Sequence, residues 1–461
     1  MSGRLPINSK PNPMKVLFQN VFIKMGMILM LIFILLIPAS MVQDLIHERT
    51  QRQQEAIEEV SSKHAGAQTV TGPILTIPYR VYPNVEVEIT DDEKKEEQFY
   101  HTEYLHVLPE ELNISGKITP ERRKRGLFEV VVYGSDLNVQ GHFNKLNIEN
   151  QGVKFENFEL NNAFVTIGVS DLKGITDQVQ ISMADSSAMF NPGLLSSDIV
   201  KSGLHVRYPL DTLSERLAFN FDLSLNGSEY LQFTPIGKVT MVDLASPWKE
   251  PSFDGNFLPE TRKISENGFT ANWKVLHLNR NYPQSWTGDT HHVRDSNFGV
   301  NLRVPVDVYQ KSTRVAKYAL LFVSLTFLVF FFVEILNRIL IHPIQYILVG
   351  LALVLFYILM LAFSEQMYFD YAYLLSAGMT IGLVFIYCRS ILKSWSLSAM
   401  TAVILSILYG FIFIIIQMQD YALLFGSLGI FLILAVTMFF SRKVDWFDLK
   451  KLEDTKEDSI I

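Results

Sequence analysis

The sequence predicts an integral membrane protein with six α-helical spans and a large, mostly β, antiparallel sandwich-like domain outside the cytoplasm. Three observations carry this. Of the 461 residues only 19% are charged and 49% are hydrophobic, whereas about 25% are charged in an ordinary soluble domain. The deficit is uneven: residues 315–440 are almost continuously apolar, while 43–314 have the composition of a folded soluble domain. Within that domain, apolar and polar residues alternate with period two, as in strands with one buried face. The apolar content excludes a disordered chain. A net charge of −7 speaks against a nucleic-acid partner.

A span needs roughly 20 apolar residues, and six segments qualify: 25–42, 318–336, 344–363, 371–388, 397–416 and 421–440. The first follows Arg4, Lys10, Lys15 and Lys24, as in a signal peptide. Its apolar run is too long for that, however, and Pro38-Ala39-Ser40 is a poor cleavage site, so it reads as a retained anchor. Positive charge on alternate loops sets the orientation. Arg338 with His342, Arg389 with Lys393, and Arg442 with Lys443 mark one side; the loops with Glu365 and Asp370, and with Asp420, lack Lys and Arg. The expected organisation is therefore a cytoplasmic N-terminus (1–24), first span (25–42), extracytoplasmic domain (43–317), five-helix bundle (318–440) and cytoplasmic tail (441–461).

The outer domain opens with a helix over 43–64, rich in Glu, Gln and Arg, which Gly66 and Gly72-Pro73 end. Strands are expected at 127–133, 137–143, 158–169, 238–244 and 268–278. The clearest alternation places Leu217, Phe219, Phe221, Leu223 and Leu225 on one face, followed by Asn226-Gly227, a strong hairpin signal. A second alternation, Val300 to Val308, would run almost directly into the second span, with Pro305 marking an edge strand. The acidic run 91–97 and the basic run Arg122-Arg123-Lys124-Arg125 read as solvated loops, the latter in preference to a contact with anionic lipid or polymer. Cys388 is the single cysteine, so no intrachain disulfide forms.

Signs of chemistry are few. Trp286 to His292 brings Asp289, His291 and His292 together, but adjacent histidines on a strand point to opposite faces. The segment reads as a polar loop, and no metal or cofactor is expected. No hydrolase elbow, zinc-protease helix or phosphate-binding loop occurs. Spans three to six carry no Asp, Glu, Lys or Arg, which argues against an ion-coupled transporter. Glu334 in the second span stands four residues before Arg338, the favourable order for a pair at the membrane interface. Gly378 and Gly382 are spaced for close helix packing.

Several longer stretches carry a family resemblance. They include Gly72-Pro73-Ile74-Leu75, Arg125 to Val130, Leu225 to Ser228, and the run from Ser246 to Pro259 that holds Trp248, Pro251, Phe253, Gly255 and Pro259. Gly268 to Trp273, Arg314 to Ala319 and Glu334 follow, then His342-Pro343-Ile344-Gln345-Tyr346, Ser364-Glu365 and Asp445-Trp446-Phe447. Over nearly its whole length the chain resembles the CreD family of bacterial inner-membrane, cell-envelope-integrity proteins. The resemblance implies an envelope-stress protein with a periplasmic domain, linked to the β-lactam response and colicin tolerance and controlled in relatives by the CreBC two-component system. It carries over no catalytic residue. The expected function is therefore non-enzymatic: beyond its contact with the lipid bilayer, the periplasmic domain binds an envelope component or a protein partner. The alternatives are an enzyme acting on an envelope polymer, which a His/Asp cluster in a cleft would favour, and a transport or channel component, which a polar pore would favour.

Overall fold

The computed structural model describes residues 21–82, 100–145, 154–184, 186–210, 216–302, 308–337, 339–418 and 421–442. The acidic run 91–97, Pro305, Arg338, Asp420 and both termini lie outside them. The chain divides into a strand domain, Gln53–Pro305, and a helical unit made of the rest.

One 44-residue helix, α1 (Val21–His64), combines the expected first span with the helix that follows it. The strands are, in chain order, β1 (Gln68–Val81), β2 (His101–Val107), β3 (Glu111–Arg125), β4 (Phe128–Phe143), β5 (Phe164–Val169) and β6 (Gln180–Met183). Then come β7 (Ser186–Met189), β8 (Asn191–Pro192), β9 (Gly203–Arg207), β10 (Leu217–Ser228), β11 (Tyr230–Phe233) and β12 (Val239–Ser246). The last are β13 (Ser252–Gly255), β14 (Thr261–Ser265), β15 (Gly268–Leu276), β16 (Ser285–Thr287) and β17 (Phe298–Asn301). Nine form one sheet, ordered β13-β17-β11-β1-β5-β9-β8, with β2 on β1 and β16 on β2; eight form the other, ordered β14-β15-β12-β3-β4-β10-β6-β7.

Both sheets contribute to one hydrophobic core, in which Ile77, Val165 and Leu231 from the first join Ile114, Val139 and Leu223 from the second. Phe219, Phe221, Leu223 and Leu225 are buried as the alternation requires, while Leu217 at the strand end is half-buried. The sheets are mixed rather than purely antiparallel: β1 runs parallel to β11 and β3 parallel to β12.

The parallel pairing of β11 and the fate of Asn226-Gly227 have one cause. There is no hairpin at that dipeptide; β10 continues through it, with Asn226 opposite Gly134 and Gly227 opposite Tyr133. Gly227 faces the Tyr133 ring so closely that a Cβ would collide with it, so glycine is required there for packing. The chain turns at Glu229, with φ 62°, and passes into the other sheet beside β1. The Tyr133 hydroxyl donates to the Tyr230 carbonyl at 2.7 Å and ties the crossing.

Other boundaries move for local reasons. Segments 127–133 and 137–143 fall in the single strand β4. β5 starts only at Phe164, because Phe155–Asn157 and Leu160–Asn162 are 3₁₀ turns. The Arg122–Arg125 run lies inside β3, and its charges meet Glu121, Glu129 and Glu59. The last alternating strand ends at Asn301 and lies between β11 and β13, and Val308 already belongs to a helix.

The helical unit adds α2 (Val308–Lys317), α3 (Ala319–Asn337), α4 (Pro343–Ser364), α5 (Phe369–Leu392), α6 (Trp395–Gln417) and α7 (Ala422–Ser441). Among the described residues six helices, α1 and α3 to α7, are long and apolar enough to cross a membrane. Phe322, Phe356, Tyr373 and Tyr409 form its aromatic centre. Helices approach closely at Gly350, against Leu35 of α1 and Phe327 of α3, and at Gly429 of α7, against Phe411 of α6. Gly378 and Gly382, spaced for such packing, have no described atom near the place a Cβ would take.

Candidate functional site

The family-motif residues of the helical unit form two charge clamps. At the first, Pro343 occupies the first turn of α4, where its missing N–H costs nothing. His342 caps that helix: its Nδ1 accepts from the Ile344 N–H at 3.3 Å, and the Gln345 side chain accepts from the His342 N–H at 2.9 Å. The cap orients Tyr346 inward. Its hydroxyl donates to Glu334 Oε2 at 2.9 Å, and the Ile341 N–H donates to Glu334 Oε1 at 2.8 Å. Lys24 of α1 completes the cluster as the ion-pair partner of Glu334.

Glu334 is thus buried and paired with α1 and α4, partners that the sequence reading did not include. Arg338 lies outside the described residues, and the carboxylate is only 4% exposed, engaged by Lys24, Tyr346 and the Ile341 backbone. The i,i+4 spacing could not reveal Lys24, which is 310 positions away (334 − 24).

The second clamp closes on Glu365, at the other end of α4. Tyr309 of α2 donates to it at 3.2 Å, and Arg49 of α1 stands 3.7 Å away. Lys24 and Arg49 are 25 residues apart (49 − 24), about 37 Å along a helix and close to the depth of a bilayer. Near one end of α4 the Glu334 carboxylate of α3, and at the other end the Glu365 carboxylate, thus meets a cation on α1.

The motif residues of the strand domain pack instead of converging on a cleft. Phe253 sits edge-on to Phe269 and Trp273, each at 5.6 Å, and Trp273 lies 5.8 Å from Phe298. The indole N–H of Trp273 donates to the Phe257 carbonyl, and that of Trp248 to the Glu250 carbonyl. The Arg122 guanidinium covers the Trp248 ring at 5.2 Å. Gly255 takes φ 101°, a conformation that side chains resist. Half-buried Pro251 and Pro259 flank it at the entries to β13 and β14.

Sequence reasoning missed one constellation. Thr76 and His106 stand opposite each other on β1 and β2. Thr76 Oγ1 is 3.0 Å from His106 Nδ1, and His106 Nε2 is 2.9 Å from Asp198 Oδ2. Burial pushes the imidazole pKa down, partly opposed by the Asp198 carboxylate. Hydroxyl, imidazole and carboxylate follow the order of a hydrolytic triad. Thr76 is only 2% exposed, however, so its hydroxyl does not face solvent. The group acts as a buried polar staple between strands. Its members are distant in sequence and share no motif, so no signal announced it. His291, by contrast, packs edge-on against Trp286 at 5.4 Å. Among the described residues no three His, Cys, Asp or Glu side chains are placed to hold a metal ion.

Six membrane-length helices, clamped at both ends of α4 and joined to a two-sheet domain, define a multi-pass membrane protein with a large strand domain. The family described as "Inner membrane protein CreD" matches residues 20–447. The Inner membrane protein CreD of Escherichia coli (strain K12) is 32% identical over 444 residues, covering 95% of this chain and 96% of the relative. The chain belongs to the CreD family and is a multi-pass inner-membrane protein.

Proposed function

We propose that this is a cell-envelope integrity and stress-response protein. Its strand domain faces the periplasm, with both termini in the cytoplasm, and binds an envelope component or a protein partner without catalysis. The alternating loop charges support that orientation. The observation that carries the binding reading is the contrast within the strand domain: its aromatic family motif is spent on packing, and the hydroxyl and imidazole of its triad-like group are buried. Roles in the β-lactam response and colicin tolerance follow from the family resemblance and belong to the same proposal. The test is photo-crosslinking in cells from exposed positions of the strand domain. Recovery of one discrete envelope component or protein supports the reading; a domain that crosslinks to nothing overturns it.

The triad-like group supplies the specific observation for a second reading, an enzyme acting on an envelope polymer. Turnover of cell-wall material by the purified protein, abolished by His106→Ala with the fold intact, would establish it in place of the first.

A further inference from the structure

The outward face of the eight-stranded sheet carries the wrong residues for an idle surface. Asn272, Asp243, Ser115, Asn138 and Asp222 stand side by side in one cross-strand row over β15, β12, β3, β4 and β10. The next row adds three more amides, Asn113, Gln140 and Asn220, and the row on the other side places Asp136 beside Ser224. Asn and Asp are disfavoured in strands, where Thr, Val and aromatic residues fit better. Filling central strands with them goes against local preference, and such departures are expected at functional sites.

The side chains are held in order. Asn138 Nδ2 donates to Asp222 Oδ1 at 2.7 Å and to Asn220 Oδ1 at 3.1 Å; Asn272 Nδ2 donates to Asp243 Oδ1 at 2.6 Å; Ser224 donates to Asp136 Oδ1 at 2.9 Å. Asp136, Asp222 and Asp243 are exposed, while Asn113 Oδ1 is buried without a partner. Because the residues are short, a shallow groove of about 530 Å³ opens over Ser115, Asp243, Thr270 and Asn272, beside Thr261 and Lys263.

We propose that this face binds an uncharged polysaccharide strand. The proposal rests on the reading that the domain takes up an envelope component, and names its chemical class. Fixed amides and carboxylates offer donors and acceptors together, which neighbouring sugar hydroxyls require, since each hydroxyl both donates and accepts. Carried on to β14, the three rows hold three aspartates, Asp136, Asp222 and Asp243, and three lysines, Lys117, Lys263 and Lys274. That balance suits a neutral polymer and gives no purchase to an anionic lipid surface, which needs clustered cations. Strands repeat every ~4.8 Å, close to the advance of one pyranose ring along an extended chain, so successive strands can address successive sugars.

The experiment is titration of the purified full-length protein in detergent with chitohexaose, cellohexaose and maltohexaose, read by calorimetry and saturation-transfer NMR. At least one should bind with a Kd in the millimolar range or tighter. Asn138→Ala and Asp243→Ala should each weaken it by about tenfold, the loss expected for a charge-assisted or paired hydrogen bond. Ser115→Lys, at an exposed position, fills the groove with a long side chain and should abolish binding at an unchanged melting temperature. Glu156→Ala, exposed and off this face, should leave affinity unaltered. Absence of binding by all three sugars, or binding indifferent to the Ser115 change, overturns the proposal. Failure here together with a discrete protein crosslinked to the domain would refute the polysaccharide site and leave the broader binding function standing.

Discussion

Replacing Glu334 by Gln removes one charge from a cluster that is closed to water on all sides. Lys24 and Glu334 are both buried, and the carboxylate takes three contacts: the Lys24 ammonium, the Tyr346 hydroxyl and the Ile341 N–H. Gln keeps the volume and can still accept from Tyr346 or Ile341. What it cannot do is neutralise Lys24, which is left as an uncompensated buried cation. Breaking one side of a buried pair costs about 3–5 kcal/mol, whereas an exposed i,i+4 pair is worth only about 0.3–0.5 kcal/mol. The structure therefore requires the larger figure. The charge-free double variant Lys24→Met with Glu334→Leu should recover most of the loss, because replacing both partners by apolar groups removes the desolvation cost as well as the attraction. The assay is thermal unfolding of the purified protein in detergent for the parent, both single variants and the double variant, as a cycle. If Glu334→Gln melts with the parent, or if the double variant is as damaged as the sum of the singles, the buried-pair account is wrong.

Four further outcomes follow from the same structure. Gly350→Val drives a side chain into Leu35 and Phe327, and overpacking of this kind costs about 1–3 kcal/mol, visible as a lower melting temperature, whereas Gly378→Val should cost little. Phe221→Asp buries an unpaired charge on the inner face of β10, at several kcal/mol, and Asn220→Asp on the outer face should shift stability by about 0.5 kcal/mol or less; equal melting temperatures would contradict the assigned faces. His106 has its pKa lowered from 6.5 by burial, so below that value the unfolded chain takes up a proton that the folded chain resists, and stability falls as pH drops. His106→Gln should flatten the decline in melting temperature between pH 7 and 5, though only in part, because His64 and His142 are shifted in the same direction by burial. Reporter fusions should be active outside at 364–370 and 417–420 and inside at 337–343 and 389–396; an outside signal from the last two positions would overturn the six-span topology.

The sequence alone was enough for features set by local composition and period. Apolar runs of membrane length need no tertiary context, because a backbone in hydrocarbon must satisfy its own hydrogen bonds and a helix does so within one segment. The alternation from Phe219 to Leu225 likewise reports its own buried face. The capping pattern at His342-Pro343 and Gln345 is also local, and is legible once the start of α4 is known. The tertiary structure decided what depends on partners far along the chain. Asn226-Gly227 has the chemistry of a turn, yet the Tyr133 ring and the pairing with β4 hold it extended and move the turn to Glu229. Glu334 is buried against α1 and α4, where Lys24 and Tyr346 engage it, and no spacing within α3 points to either. Thr76, His106 and Asp198 meet only because β1 and β2 pair in one register and the chain then returns after β8. In each case the deciding contacts come from several elements at once, as pairing and packing at Gly227 and as burial of polar groups at Glu334 and His106, and period and spacing within one segment do not register them.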